Sequence, residues 1–355
     1  TAVAAHKRVF GADAVPASYE DLEQADVVLL YGSNMAWTHP VDYQRIAAAK
    51  AARPDMKIIV IDPRRTSTAE LADLHLPVKP GSDIQLVDGL LAYLINEGYE
   101  NQRFLESHTD GYEAIREEIS QRSADRHAIA DSCDIDLVDL EQCYRWFAET
   151  EKVVSVFSQG INQSSRGVDQ ASLILYSHLI TGRIGQEGSG PFSITGQPNA
   201  MGGREVGGLA NQLAAHMNIE SETHRDIVKT FWGSPTICET PGAKAIDMFR
   251  QIEEGTIKFV WIMATNPVVS LPESERIKRA LKKCPTVVVS DCMADTDTVR
   301  LANIKLPAAG WGEKDGTVTN SERRISRQRK FLGLPAEVKP DWWVICQVAE
   351  RLGYA

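Results

Sequence analysis

None of the six cysteines, at positions 133, 143, 238, 284, 292 and 346, stands in the Cys-x-x-Cys spacing that nucleates a zinc or iron–sulfur site, so no metal ligand is assigned within these residues. They read mostly as reduced core thiols, with Cys292 best placed for exposure, and that usage favours a cytoplasmic setting. Long apolar runs are missing too. The most apolar segments, such as Lys57-Ile58-Ile59-Val60-Ile61, are of strand length, far short of the roughly 18 residues a membrane helix needs, so no span is expected. Basic residues are outnumbered 38 to 48, for a formal net charge of −10, which argues against a nucleic-acid surface.

Several motifs are absent as well. There is no Gly-x-Gly-x-x-Gly after the first strand and no Gly-x-x-x-x-Gly-Lys-Ser/Thr, which disfavours a standard nicotinamide dinucleotide site and a P-loop. There is no Gly-x-Ser-x-Gly elbow to support a hydrolase triad. His39, His178, His216 and His224 lack the i, i+4 pairing of a helical metal site. The sequence opens Thr-Ala-Val-Ala-Ala-His with neither an initiator Met nor an export signal, so a processed chain or a piece of a longer one is expected.

What is present is the pattern of an α/β protein. The 355 residues, 43% of them hydrophobic, suffice for two domains. Continuous apolar runs predict strands over 26–31, 57–61, 153–157, 258–263 and 286–289, with helices over 39–52, 83–97, 243–253 and 273–283. Strand, loop, helix, strand with unbroken apolar strands predicts parallel sheets covered on both faces. A glycine-rich stretch over 181–208 marks a domain transition, which gives domains over 1–192 and 193–355.

The two regions repeat each other weakly. Gly32-Ser33-Asn34 matches Ala264-Thr265-Asn266 at an offset of 232, Asp62 matches Asp291 at 229, and Thr66, Thr68, Ala72, Leu76 and Pro77 match Thr296, Thr298, Ala302, Leu306 and Pro307 at 230. Core packing does not select matched polar residues in loops. In open parallel sheets ligands sit outside the carboxyl ends of the strands, where small polar loops and Arg64-Arg65 suit a diphosphate and Asp62 suits a ribose or base edge. The competing reading is a helix-capping Asn and a solvated Arg pair. Two copies imply two nucleotide-like groups, or one ligand lying across the pseudo-twofold.

Several blocks together resemble one family. They are Tyr-Gly-Ser-Asn-Met-Ala-Trp-Thr-His-Pro (31–40), Ile-Asp-Pro-Arg-Arg-Thr (61–66), Lys-Pro-Gly-Ser-Asp (79–83), Gln-Gly-Ile-Asn-Gln (159–163), Thr-Gly-Gln-Pro-Asn-Ala-Met-Gly-Gly-Arg-Glu-Val-Gly (195–207) and Asn-Ser-Glu-Arg-Arg (320–324). They are similar to the catalytic subunits of bacterial nitrate reductases, chiefly the assimilatory type, among the molybdopterin oxidoreductases related to dimethyl sulfoxide reductase. The resemblance implies two pseudo-symmetric, doubly wound, Rossmann-like parallel-sheet units of the formate dehydrogenase/dimethyl sulfoxide reductase type. On that scheme 1–192 is the family's third domain and 193–355 the later half of its second. It also implies molybdenum held between two molybdopterin guanine dinucleotides, with nitrate as substrate.

Carried over by resemblance, Gly32, Ser33, Asn34 and His39 form the first dinucleotide loop, followed by Asp62, Arg64, Thr66, Gly81 and Asp83, while Gln159, Asn162 and Gln163 reach toward the pterin. Asn266, Ser290, Asp291, Lys314 and Asp341 are the second-copy contacts, with Thr298, Asn320 and Arg323 as further candidates. Gln197 and Arg204 resemble the pair at the floor of the substrate funnel, where a fixed guanidinium suits a planar oxyanion. The competing reading of Arg204 is a surface or salt-bridged arginine beside a Gly pair. The family's iron–sulfur segment and molybdenum-ligating cysteine are expected upstream of Thr1 and a further domain beyond Ala355, so residues 1–355 alone are expected to be inactive. The electron donor (ferredoxin, flavodoxin or an NADH-linked reductase) is left open. The rival readings are a formate dehydrogenase and a cofactor-free structural subunit of a respiratory complex.

Overall fold

A computed structural model describes residues 1–335 and 337–354. The chain divides into two compact units, one of Thr1–Met201 with Thr319–Arg324, the other of Gly202–Val318 with Ile325–Ala355.

The first unit is built on five parallel strands, β1 (Val27–Tyr31), β2 (Lys57–Ile61), β3 (Leu74–Leu76), β4 (Val153–Phe157) and β5 (Gly190–Ser193), in the order β3-β2-β1-β4-β5. Side chains alternate between the two faces of a strand, and here both faces are buried. Val27, Leu29 and Tyr31 join Ile59, Ile61, Val153 and Phe157 in one core with the Asp83–Asn96 and Gly167–Ile180 helices. Val28 and Leu30 join Ile58, Val60, Val154, Val156 and Phe192 in the other, against the Pro40–Ala52 helix through Ile46. This is why each strand reads as an unbroken apolar run.

The second unit repeats half of that plan. Strands β6 (Phe259–Met263), β7 (Thr286–Asp291) and β8 (Ile304–Pro307) form a parallel sheet in the order β6-β7-β8. Val260, Ile262, Val287 and Val289 bury one face against Phe249 and Ile252 of the Ala245–Glu254 helix and Ile277, Ala280 and Leu281 of the Ser274–Lys283 helix. The other face departs from the expectation of two-sided cover, since Phe259 is 57% exposed and Trp261 and Met263 are only half-buried. Strands β9 (Gly316–Thr319) and β10 (Ile325–Gln328) form a separate two-stranded sheet.

The cysteine expectation needs correction. Cys133, Cys143 and Cys284 are buried, but Cys238, Cys292 and Cys346 are exposed. Cys238 and Cys346 carry no sequence cue, because a thiol on a polar surface and one in a core look alike without the fold. Desolvation pushes the Cys143 thiol up to about 12, so it stays protonated and inert. Among the described residues no helix is long and apolar enough to cross a membrane, and no cluster of three or more His, Cys, Asp or Glu could hold a metal.

Candidate functional site

The chain leaves β1 toward β2 on one side and β4 toward β5 on the other, so the loops after β1 and β4 diverge from adjacent strand ends. That is the topological switch point of an open parallel sheet, where a crevice forms. Gly32-Ser33-Asn34 lies on one side of it and the Gln159–Asn162 helical turn on the other.

The two loops meet backbone to backbone. Gly160 N donates to Gly32 O at 2.9 Å. Gly32 has φ +49°, and a Cβ there would stand 2.7 Å from Gly160 Cα, while one on Gly160 would stand 2.6 Å from Gly32 Cα. Both positions are therefore closed to side chains.

At the strand ends of the same sheet three buried oxygens, Ser33 Oγ, Thr66 Oγ1 and Asn162 Oδ1, lack a hydrogen-bond partner among the described residues. They come from the loops after β1, β2 and β4, at one edge of the sheet. Unpaired buried polar atoms cost about 1–3 kcal/mol each, so three of them in the loops at one edge of the sheet suit a polar ligand there.

Asn34 does not cap the Met35–Thr38 helix with its side chain. Its Oδ1 accepts from Thr68 Oγ1 at 2.8 Å, and Thr68 Oγ1 in turn accepts from Ala36 N at 3.1 Å. The second unit repeats this lock, with Thr298 Oγ1 donating to Asn266 Oδ1 at 2.6 Å and accepting from Val268 N at 3.3 Å. The parallel continues. Thr38 Oγ1 donates to Asn34 O and Ser270 Oγ to Asn266 O, while Asp62 Oδ1 accepts from Arg64 N and Asp291 Oδ1 from Met293 N, both at 2.9 Å. Ala264, the counterpart of Gly32, shares its left-handed backbone at φ +53°. Replacing Thr68 or Thr298, both fully buried, with valine removes the donor to Asn Oδ1 and the acceptor for a backbone N–H. Each change is expected to cost about 1–3 kcal/mol in denaturant unfolding, and an unchanged midpoint would remove the lock from the account.

The remaining candidates distribute as follows. Arg64 and Gly81 are exposed. Asp83 is buried in the first turn of the Asp83–Asn96 helix. Burial pushes its carboxyl above the usual range, a hydrogen bond from its own N–H opposes this, and the Asp62 carboxylate adds to the rise. A carboxyl whose folded pKa is raised binds its proton more tightly in the folded state. Stability is then lost as pH rises from the unfolded value through the folded one. Asp83→Asn should therefore melt above the parent chain at neutral pH and converge with it in acid, and a lower melting point at neutral pH would count against this.

The His39 side chain reaches from the connection after β1 to the segment after β5. Its Nε2 donates to Thr195 O at 3.1 Å, and its Nδ1 lies 2.8 Å from Thr38 Oγ1. Gln159 and Gln163 are exposed beside half-buried Asn162.

In the second unit Ser290 Oγ accepts from Trp261 Nε1 at 2.8 Å, and Lys314 Nζ pairs with Asp341 at 3.4 Å. Arg204 is half-buried, and its carbonyl accepts from Gln212 Nε2 at 2.7 Å and Gly207 N at 3.1 Å. Gln197, in the first unit, is exposed. Asn320 closes its own turn, with Oδ1 accepting from Arg324 N at 2.9 Å, and Arg323 takes a left-handed backbone at φ +66°. Gln212 carries no cue in the sequence, and Gly160 entered only as part of the 159–163 block. Gly160 could have been found as the small residue that recurs after a buried strand, as Gly32 does.

The chain belongs to the molybdopterin oxidoreductase family, whose model matches residues 3–351. It is similar to the nitrate reductase of Klebsiella oxytoca, 50% identical over 354 residues that cover 100% of this chain and 40% of that protein. The nitrate reductase of Shewanella frigidimarina is 49% identical over 354 residues, covering 100% of this chain and 38% of that protein. The chain thus spans less than half the length of these relatives. Acetylene hydratase from Pelobacter acetylenicus superposes with a TM-score of 0.76 over 99% of this chain and 50% of its own, at 18% identity, which shows the fold alone.

Proposed function

We propose that the enzyme containing this chain reduces nitrate to nitrite by oxygen-atom transfer at molybdenum held between two molybdopterin guanine dinucleotides. The observation that carries the reading is the set of unpartnered buried oxygens at one edge of the first sheet together with the recurrence of the Asn–Thr lock in the second unit. One loop would suit one nucleotide, and two equivalent loops suit two.

In this reading the loop of Gly32, Ser33 and Asn34, with Thr66 and Asn162, receives diphosphate and pterin oxygens and amides, with Arg64 and His39 at its edge. Gly81 and the carboxylates of Asp62 and Asp83 serve the far end of that nucleotide, and Gln159 and Gln163 its pterin end. Carboxylates accept paired N–H donors from a guanine edge, which would relieve the repulsion between Asp62 and Asp83. Asn266, Ser290, Asp291, Lys314 and Asp341 serve the second nucleotide, with Thr298 holding Asn266 in place. When bound, molybdenum supplies the two-electron couple that takes up the oxygen atom. Arg204 presents a planar fork of donors to nitrate, and Gln197 adds an amide donor, so both steady negative charge on the substrate oxygens. The proposal extends to an iron–sulfur cluster as electron entry and to an assimilatory, cytoplasmic role fed by ferredoxin, flavodoxin or an NADH-linked reductase.

Nucleotide release tests the cofactor half. Acid treatment of the purified enzyme should liberate two guanine nucleotides per molybdenum atom. A ratio of one, or a different base, would contradict the two-loop argument.

A further inference from the structure

Resting on the nitrate reading above, we infer that Thr195 is a positioning residue for Gln197, held in register by the Thr319–Arg324 segment of the first unit. Thr195 uses every polar atom it has. Its N–H donates to Ser321 Oγ at 3.2 Å, and its carbonyl accepts from Ser321 Oγ at 3.3 Å and from His39 Nε2 at 3.1 Å. Its hydroxyl donates to Gln197 Oε1 at 3.3 Å.

Gln197 can present either end of its amide to a ligand, and the two ends are opposites, since oxygen accepts and nitrogen donates. Nitrate carries only acceptors. A Gln197 with its oxygen forward would repel the anion, whereas one with its nitrogen forward would hold it. A hydroxyl can meet either end of an amide, but once an anion takes Nε2 the Thr195 hydroxyl donates to the oxygen left facing it, as it does in this structure, and a valine could not.

The hydroxyl can support that orientation only if the stretch of chain bearing it is fixed, and the segment is pinned on both sides of Gln197. Ser321, 4% exposed, clips Thr195, while Thr319 N donates to Asn199 Oδ1 at 2.9 Å. The clip is anchored by Glu322, whose side chain is 5% exposed. It accepts from Tyr19 N at 2.9 Å and Asn320 Nδ2 at 3.2 Å, and pairs with Arg324 at 3.1 Å. His39, reached from the loop after β1, ties the same carbonyl to the dinucleotide side of the sheet.

The test uses the intact, cofactor-loaded enzyme that contains this chain, with Thr195→Val, Thr195→Ser and Ser321→Ala variants. Valine keeps the shape and removes the hydroxyl. It should raise KM for nitrate about fivefold with kcat within about twofold of the parent, and serine should restore the parent KM. Rescue by serine assigns the KM change to the hydroxyl, and the near-parent kcat separates a positioning role from a general loss of structure. Independently of turnover, Ser321→Ala should accelerate hydrogen exchange at the Thr195 amide and leave exchange in β1 and β4 unchanged. A parent KM in Thr195→Val, or equal KM values in the valine and serine variants, would overturn the inference, and so would unchanged exchange at Thr195. If the parent enzyme does not reduce nitrate, the functional reading fails by itself, and the clip is then judged by the exchange measurement alone.

Discussion

Replacing Arg204 with lysine in the intact enzyme is expected to lower kcat/KM for nitrate by roughly 10²- to 10³-fold, the effect of removing a preorganised donor to a developing oxyanion. Charge is conserved in this change, so charge alone does not account for the loss. Guanidinium offers two parallel N–H donors in one plane, which match two oxygens of a planar anion, whereas an ammonium group is a hydrated point charge on a mobile stem. The backbone at Arg204 is held in place. Its carbonyl takes two donors, the side chain of Gln212, itself 4% exposed, and the Gly207 amide. The loss should fall on kcat as well as KM, because the oxyanion charge changes as the oxygen leaves. A lysine variant with parent kinetics would return Arg204 to the surface or salt-bridged arginine that the sequence favours when the family resemblance is set aside.

The second large effect contrasts the two copies of one loop. Gly32→Ala is expected to destabilise the first unit by about 3 kcal/mol, the sum of left-handed backbone strain and a clash in a close-packed contact. The added carbon would stand 2.7 Å from Gly160 Cα, and neither backbone can yield without breaking the Gly160 N to Gly32 O bond. Ala264 has the same left-handed backbone but is exposed, so only the strain term applies. Ala264→Gly should therefore be neutral to stabilising by about 1 kcal/mol, since relief of strain is offset in part by the greater freedom of the unfolded chain. Denaturant unfolding that separates the two units measures both changes. Equal and opposite effects would show that the Gly32–Gly160 contact adds nothing to backbone strain.

The sequence and the fold agree most closely where one physical cue dominates. β2 and β4 fall on 57–61 and 153–157 as their apolar runs predict, because strands buried on both faces have no polar alternation to blur them. The repeat was also legible, and the fold adds its cause. Asn34 and Thr68 recur as Asn266 and Thr298 because each pair closes one hydrogen bond, which sequence can align but cannot see.

Other features were hidden. Gly190-Pro191-Phe192-Ser193 reads as loop, yet it pairs with β4 as edge strand β5, a place where a missing N–H is tolerated. The docking of Ser321 on Thr195 spans 126 residues of chain, and no local pattern predicts such a contact. That the candidate residues after β1, β2 and β4 share one edge was readable, because parallel sheets gather strand ends there. The way His39 turns toward Thr195 was not, since it depends on where the segment after β5 runs.

Oxygen-atom transfer from nitrate is tested most directly by turnover of the intact enzyme with a reduced viologen as donor. Nitrite should be the product, one for every two electrons delivered, in preparations that contain molybdenum, with activity lost when molybdenum is absent. Formate oxidation without nitrite formation, or nitrite formation independent of molybdenum, would contradict it.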